Sequence, residues 1–286
     1  VTLLDLIEHC SARLQEAGVS FGHGTTNAFD EAVWLALWRL GLPLDNLDGV
    51  AERQVTATEQ AAIEALVTQR IQSRRPAAYL TGEAWLQGLP FHVDERSIVP
   101  RSLIAEPLVD GTLDAWLPKP PRRVLDLCTG NGSLAVLAAL AWPGVQVDAS
   151  DLSAEALQVA HRNVQRHGLQ ATIRLRQGDG LVAADGPYDL VLCNPPYVNT
   201  ASMDTLPPEY RAEPALALAG GEDGMDFIRP LLAGIAGHLQ PQGALVLEIG
   251  HERAFFEAAF PRLQPVWLPT SAGEDQVLLL TREALT

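Results

Sequence analysis

At 286 residues, 47% hydrophobic and 19% charged, the chain is long enough for about two domains and too apolar to be intrinsically disordered. Its 35 acidic residues outnumber 20 basic ones, Lys119 being the single lysine, and leave a formal charge of -15. That balance argues against a protein held on nucleic acid by a basic surface, because a phosphate backbone rewards clustered cations.

Residues 1–76 read as a helical domain. Leu3, Leu6, Ile7, Cys10 and Leu14 recur at helical spacing up to Gly18. A second helix follows Asn27 as far as Gly41, and Thr56 with Glu59 three residues on announces a third as a capping box. Residues 77–101 change period: Tyr79 to Leu86, a turn at Gln87-Gly88 and Phe91 to Val99 predict a strand hairpin linking two domains. Pro107 falls early in the helix expected after Ser102, where a proline clashes with the carbonyl four residues back unless the helix starts late.

From there to residue 286 short apolar strands alternate with helices, which predicts an α/β domain with a doubly wound, mostly parallel sheet of seven strands. The strands expected are Val124–Leu127, Val145–Ser150, Ala171–Arg176, Tyr188–Cys193, Ala244–Ile249, Val266–Leu268 and Val277–Thr281. The last two have too short a connection for a helical crossover and should pair antiparallel. His161 and His167 sit six apart on one predicted helix and read as solvated side chains. Cys10, Cys128 and Cys193 form no CxxC pair and the seven histidines no ligand set, so neither disulfide nor metal is expected. With no long apolar run and no signal peptide, the expectation is a cytoplasmic protein without a membrane partner.

Three strand ends carry chemistry. The first runs through Asp126-Leu127-Cys128-Thr129-Gly130-Asn131-Gly132-Ser133 into a helix; Gly130 and Gly132 open the backbone to a ligand, or simply make a tight turn. The pattern lacks the third glycine of a dinucleotide cradle, which argues against a dehydrogenase. Asp151 closes the second strand, where an acid can accept both hydroxyls of a ribose or can favour a helix N-terminus. Asp179, beside Gly180 after the third strand, can accept from an adenine amine or serve as a turn acid. Directly after the fourth strand stands Asn194-Pro195-Pro196-Tyr197. Two prolines forbid continuation of the ladder and leave carbonyls free. The Asn194 side-chain oxygen and the Pro195 carbonyl can then accept both hydrogens of a planar nitrogen and aim its lone pair at an electrophile, with Tyr197 packed on the substrate plane.

With these residues in place the chain resembles class I methyltransferases acting on planar nitrogens, and in particular the family that methylates the glutamine side-chain amide of proteins. Tyr79 to Trp85, Val99-Pro100-Arg101-Ser102 and Glu213-Pro214 leading to Gly220-Gly221-Glu222-Asp223-Gly224 extend the likeness over nearly the whole chain. Phe21-Gly22-His23-Gly24-Thr25, Asn27-Ala28 and the Cys128-Thr129-Gly130 loop are similar to the branch acting on the third large-subunit ribosomal protein, the branch acting on release factors being the near alternative.

The resemblance implies S-adenosyl-L-methionine as cofactor and S-adenosyl-L-homocysteine as product. The cofactor would be held by Asp126, Cys128, Thr129, Gly130, Asn131, Gly132, Asp151, Asp179, Gly180 and Asn194, with catalysis at Asn194 to Tyr197. It also implies a basic ribosomal protein as substrate, with no direct binding to nucleic acid. Residues 1–100, at -6, offer an acidic surface for such a partner. An RNA or DNA amino-methyltransferase needs the same two acceptors, and is disfavoured by charge and by the lack of a basic accessory domain. A non-catalytic assembly factor would have no need of the intact tetrapeptide.

Overall fold

The computed structural model describes residues 1–286 and divides into two units, Val1–Ala84 with Leu206–Ala212, and Trp85–Thr205 with Glu213–Thr286. The first unit holds α1 (Leu3–Glu16), α2 (Ala28–Leu40), α3 (Ala57–Ser73) and the short α4 (Ala77–Thr81). α2 and α3 begin at the expected caps, where the Asn27 side chain accepts from the Asp30 amide and Thr56 forms a reciprocal capping box with Glu59; α1 starts at a second capping box, Thr2 with Asp5, that the sequence reading did not name. Gly41 closes α2 in the left-handed conformation. The apolar stripe Leu3, Leu6, Ile7, Cys10 and Leu14 is buried together with Leu35 of α2 and Ile63 and Val67 of α3.

One cation lies inside this unit. Arg70 of α3 is 0% exposed and pairs through Nε with Glu31 at 2.8 Å and through Nη1 with Glu209 at 3.1 Å, while Arg74 Nε reaches the same Glu209 oxygen at 2.6 Å. Arg70 Nη2 also donates to the Ser20 carbonyl. Burial pushes the Glu31 carboxyl up despite Arg70; for Glu209 burial acts the same way, but donors led by Arg74 hold it low.

The hairpin is shorter than the sequence suggested. Tyr79 to Thr81 belongs to α4, started by Pro76, and only β1 (Glu83–Leu86) and β2 (Leu89–His92) form strands. Gln87 and Gly88 between them both have positive φ, the geometry of a type I′ turn. Beyond His92 the backbone is turns as far as α5 (Ala105–Val109), so the predicted strand to Val99 does not form. Because α5 starts only at Ala105, Pro107 stands in its first turn, where no carbonyl four residues back is compromised. His167 also departs from expectation: it is the C-cap of the seventh helix, Nε2 lies 2.9 Å from the Pro90 carbonyl and the ring packs on Phe91. His161 is exposed as expected.

The second unit continues with β3 (Arg123–Leu127), α6 (Ser133–Ala141), β4 (Gln146–Asp151), α7 (Ala154–Arg166), β5 (Ile173–Gln177), β6 (Tyr188–Cys193) and α8 (Thr200–Thr205). The single turn α9 (Pro208–Arg211) lies in the first unit, after which come α10 (Ile228–Gly234), β7 (Leu239–Glu248), α11 (Arg253–Ala259), β8 (Val266–Thr270) and β9 (Gly273–Thr281). Seven strands form one sheet in the order β5-β4-β3-β6-β7-β9-β8. All neighbours are parallel except those of β9, which enters between β7 and β8 and runs antiparallel to both.

Alternate residues of the central strands feed two cores. Val124, Leu190, Leu192, Val246 and Leu279 pack on the α5–α6 side; Leu125, Val191, Leu245, Leu247 and Leu278 pack on the α10–α11 side. Burial on both faces is why these strands read as unbroken apolar runs. Strand order reverses between β3 and β6, and the crevice beyond the carboxyl ends of such a pair is where open α/β sheets bind ligands.

Candidate active site

A cleft opens at that switch point. Cys128 and Gly130 line it from the end of β3, Asp151 from β4, Asp179 and Gly180 from beyond β5, and Asn194 and Pro196 from the end of β6. Residues drawn from four strand ends are thus brought to one wall. Asp126, Thr129, Asn131, Gly132, Pro195 and Tyr197 stand outside that lining and act on its shape.

Asp126 is 1% exposed. Its Oδ2 accepts from the Thr129 hydroxyl and from the Ala135 amide at 2.9 Å, which fixes the loop to the first turn of α6, while Oδ1 has no partner. Burial raises its pKa to about 7. The unfolded chain therefore ionises near pH 4 while the folded one keeps its proton to about pH 7, so this residue lowers stability as pH rises across that interval, by on the order of 4 kcal/mol. Asp126→Asn keeps an acceptor oxygen and cannot ionise. Urea unfolding at pH 5 and pH 8 is expected to show a smaller loss for the variant than for the parent protein.

The loop is held from the other side by Asp151. Its Oδ2 accepts from the Gly130 amide at 2.9 Å and its Oδ1 from the Ser153 amide at 2.8 Å. Burial pushes this carboxyl up as well. One acid thus supports the glycine loop and the first turn of α7, and its carboxylate has acceptor capacity beyond these backbone amides. Gly132 serves packing rather than ligand approach: at φ +81° its missing Cβ would lie 3.1 Å from the Ala160 Cβ of α7. The Asn131 carbonyl accepts from Asn163 Nδ2 at 2.8 Å. Ser150, fully buried at the end of β4, has a hydroxyl with no protein partner at the cleft wall.

Tyr197 does not face the cleft. Its hydroxyl donates to Glu248 Oε1 at 3.1 Å, and Glu248 Oε2 accepts from the Ser102 hydroxyl at 2.6 Å and the Leu103 amide at 3.0 Å. Burial raises both the phenol and the carboxyl. A Cβ on Gly224 would sit 2.2 Å from the Tyr197 carbonyl, and one on Gly250 2.5 Å from its ring. The backbone of Tyr197 is therefore clasped by the turn at Gly220 to Gly224 and its ring by Gly250 after β7, and a bridge between Val198 and Ala219 completes the clasp. Pro214 returns to the cleft wall behind Glu213, whose buried carboxylate takes both guanidinium nitrogens of Arg101 at 2.6 and 2.7 Å and the Val99 amide at 2.9 Å.

Glu248 and Glu213 were not singled out as site residues by sequence reasoning. Glu248 carries the same signal as Asp151, an acid at the carboxyl end of a central strand. Phe227, whose ring reaches the cleft opposite Gly180, had no comparable signal.

Two family models match the chain, the PrmC N-terminal domain over residues 5–82 and the methyltransferase small domain over residues 112–206. The chain is 57% identical to the ribosomal protein uL3 glutamine methyltransferase of Bordetella pertussis, over 99% of this chain and 96% of that one. It is 50% identical to the protein of the same name from Burkholderia pseudomallei, over 98% and 94%. Among solved structures the hMettl16 catalytic domain in complex with MAT2A 3'UTR hairpin 6 matches with a TM-score of 0.53 at 13% identity, over 79% of this chain and 81% of that one, a likeness of fold alone. At that identity to whole relatives, and with the glycine loop, the acid after β4 and the tetrapeptide after β6 around one cleft, the chain belongs to the family of ribosomal protein uL3 glutamine methyltransferases.

Proposed function

We infer that this protein methylates the side-chain amide nitrogen of a glutamine in ribosomal protein uL3, with S-adenosyl-L-methionine as methyl donor. The observation that carries this reading is Asn194 at the cleft wall, followed at once by two prolines, beside a loop and an acid suited to a nucleoside.

The residues present fit that donor. The Ser150 hydroxyl lacks a partner at the cleft wall, Asp151 has acceptor capacity left for a ribose, and Leu152, Ala156 and Phe227 offer apolar wall to a purine. Bound there, the donor supplies a methyl group on a sulfonium and is left as S-adenosyl-L-homocysteine.

An amide nitrogen is a poor nucleophile because its lone pair is delocalised into the carbonyl. The Asn194 side-chain oxygen and the Pro195 carbonyl would accept its two hydrogens, turning the lone pair toward the methyl group, and the nitrogen's surplus proton would leave to water. Tyr197 acts through the backbone: anchored on Glu248, it fixes the tetrapeptide rather than stacking on the substrate. The acidic helical unit, residues 1–76, would attract a ribosomal protein that is basic because it binds RNA, and complementary charge speeds encounter more than it tightens binding. A cytoplasmic enzyme meeting its substrate without touching nucleic acid itself accords with the charge of -15.

The test is to incubate the purified protein with labelled S-adenosyl-L-methionine and, separately, unmethylated uL3 and unmethylated release factor. Label on a uL3 glutamine is the expected result; label on the release factor alone would overturn the target. Asp151→Ala is expected to weaken donor binding by about 1–3 kcal/mol, the cost of losing hydrogen bonds to a charged acceptor. Calorimetry giving equal affinities for variant and parent would remove Asp151 from the donor site.

A further inference from the structure

Two thiols meet at the cleft wall, and neither sulfur has a task in methyl transfer. Cys128 follows β3 and Cys193 ends β6, and no CxxC spacing marks them as a pair. The sheet makes them one. Leu127 and Cys193 stand opposite each other on neighbouring parallel strands, so Cys128 is one residue beyond the register. Such strands lie about 4.8 Å apart and rise about 3.3 Å per residue, which puts the two Cα atoms roughly 6 Å apart, within the span of about 4.4–6.8 Å that a disulfide bridges.

Direction agrees with distance. A regular strand would turn Cys128 to the face opposite Leu127. At φ +61° the backbone leaves the strand instead, and the Cys128 side chain packs on the same α10–α11 core as Cys193, with a hydrogen bond joining the two thiols. A residue with a side chain is uncommon in the left-handed region, and here that conformation brings the sulfurs together. Access to them is unequal. Cys193 is fully buried, whereas Cys128 lines the cleft beside Gly130 and Asp151.

We propose that Cys128 and Cys193 form a reversible oxidation site, at which hydrogen peroxide closes a disulfide and takes the donor site out of use. The oxidant enters through the cleft and meets Cys128 first. The sulfur takes one peroxide oxygen as the O–O bond breaks, the other oxygen leaves as water with the thiol proton, and a sulfenic acid remains. The Cys193 sulfur then displaces that hydroxyl, forming S–S as S–O breaks, and its proton leaves with the hydroxyl as a second water. Two thiols have given two electrons to one peroxide, and an external dithiol returns them. The Cys193 thiol, and burial after it, hold the Cys128 proton well above the usual thiol range. The resting pair is therefore two thiols, and closure needs sustained peroxide.

The effect on the cleft is mechanical. A disulfide sets its sulfurs about 2 Å apart, closer than any non-bonded contact, so closure draws Cys128 toward β6. The residues after Cys128 are tied the other way, the Thr129 amide to the Ser150 carbonyl and the Gly130 amide to Asp151, each at 2.9 Å. The loop proposed to hold the donor is thus pulled against its β4 anchors, and Asn194, next in the chain to Cys193, is drawn with it.

This inference rests on the proposed donor site, and the test separates the two. The reduced full chain is exposed to hydrogen peroxide and desalted, then followed by peptide mass spectrometry without reductant and by calorimetry with S-adenosyl-L-methionine. The expected result is a disulfide between Cys128 and Cys193, a donor affinity lowered about tenfold or more, and recovery of that affinity with dithiothreitol. Cys193→Ala, or Cys193→Ser should alanine prevent folding, is expected to carry dimedone on the Cys128 sulfenic acid in place of the disulfide. No disulfide in the parent, no sulfenic acid in the variant, or an oxidised parent that binds the donor as tightly as the reduced one overturns the proposal. A reduced parent with no measurable donor affinity overturns the donor site itself.

Discussion

Asn194→Ala is expected to reduce methyl transfer by about 10²–10³-fold while leaving affinity for S-adenosyl-L-methionine within about threefold. The magnitude is that of removing one preorganised hydrogen-bond partner from a reacting centre. The split between chemistry and binding follows from position. Asn194 lies at the carboxyl end of β6, whereas the loop and acid assigned to the donor come from β3 and β4. In the proposed mechanism its oxygen accepts from the nucleophile, a contact that matters most when the amide has been turned toward the methyl group. Asn194→Asp is the sharper comparison, since it keeps an acceptor, loses the amide donor and adds charge. Single-turnover kinetics at saturating donor, with calorimetry in parallel, separates the two quantities. A rate near the parent's in the alanine variant would remove Asn194 from the chemistry.

Arg70→Ala is expected to cost about 3–5 kcal/mol of stability, the usual consequence of stripping the partner from a buried charge pair. Arg70 and its two carboxylates are 1% or less exposed in their side chains, so water cannot stand in for the missing guanidinium. The deficit should depend on pH with a definite sign. Without Arg70 both carboxyls lose a partner that favours their ionised form: the Glu31 pKa, already raised by burial, rises further above the unfolded one, and that of Glu209, held low by its donors, moves up. An acid whose folded pKa is raised subtracts stability as pH climbs through that interval. The gap between variant and parent is therefore expected to widen from pH 5 to pH 8 in urea unfolding. A constant gap would assign the loss to packing instead of charge.

The contrast between these two sites explains what could be read from sequence. Asn194 was visible because its neighbours constrain the backbone locally: an apolar strand stops at Cys193 and two prolines follow. The seven strands were visible for a related reason, since burial on both faces writes itself as short apolar runs. Their lengths were less so, and β7 begins at Leu239, five residues before the expected Ala244, because its first turn of pairing carries Gln240 and Gln242 in place of apolar residues. Tyr79 was misplaced in a strand because an aromatic beside apolar residues fits either period, and Pro76 as a helix start decided it. The Arg70 cluster had no local mark at all. Its partners lie 39 and 139 residues away, and nothing in the spacing of α3 distinguishes an arginine that turns inward from one that faces solvent. The same holds for Tyr197, whose orientation is decided by Glu248, 51 residues on.

The place of β9 in the sheet has a further consequence during synthesis. A strand made after β8 must enter between β8 and β7, so β8 has no partner on this sheet until β9 has left the ribosome. Until then β7 keeps an open apolar edge running from Ala244 to Glu248, next to a finished parallel sheet. An unpaired edge of that kind is a template for any other extended chain. A nascent chain held at this stage is thus exposed to mispairing until β9 is added and the sheet closes.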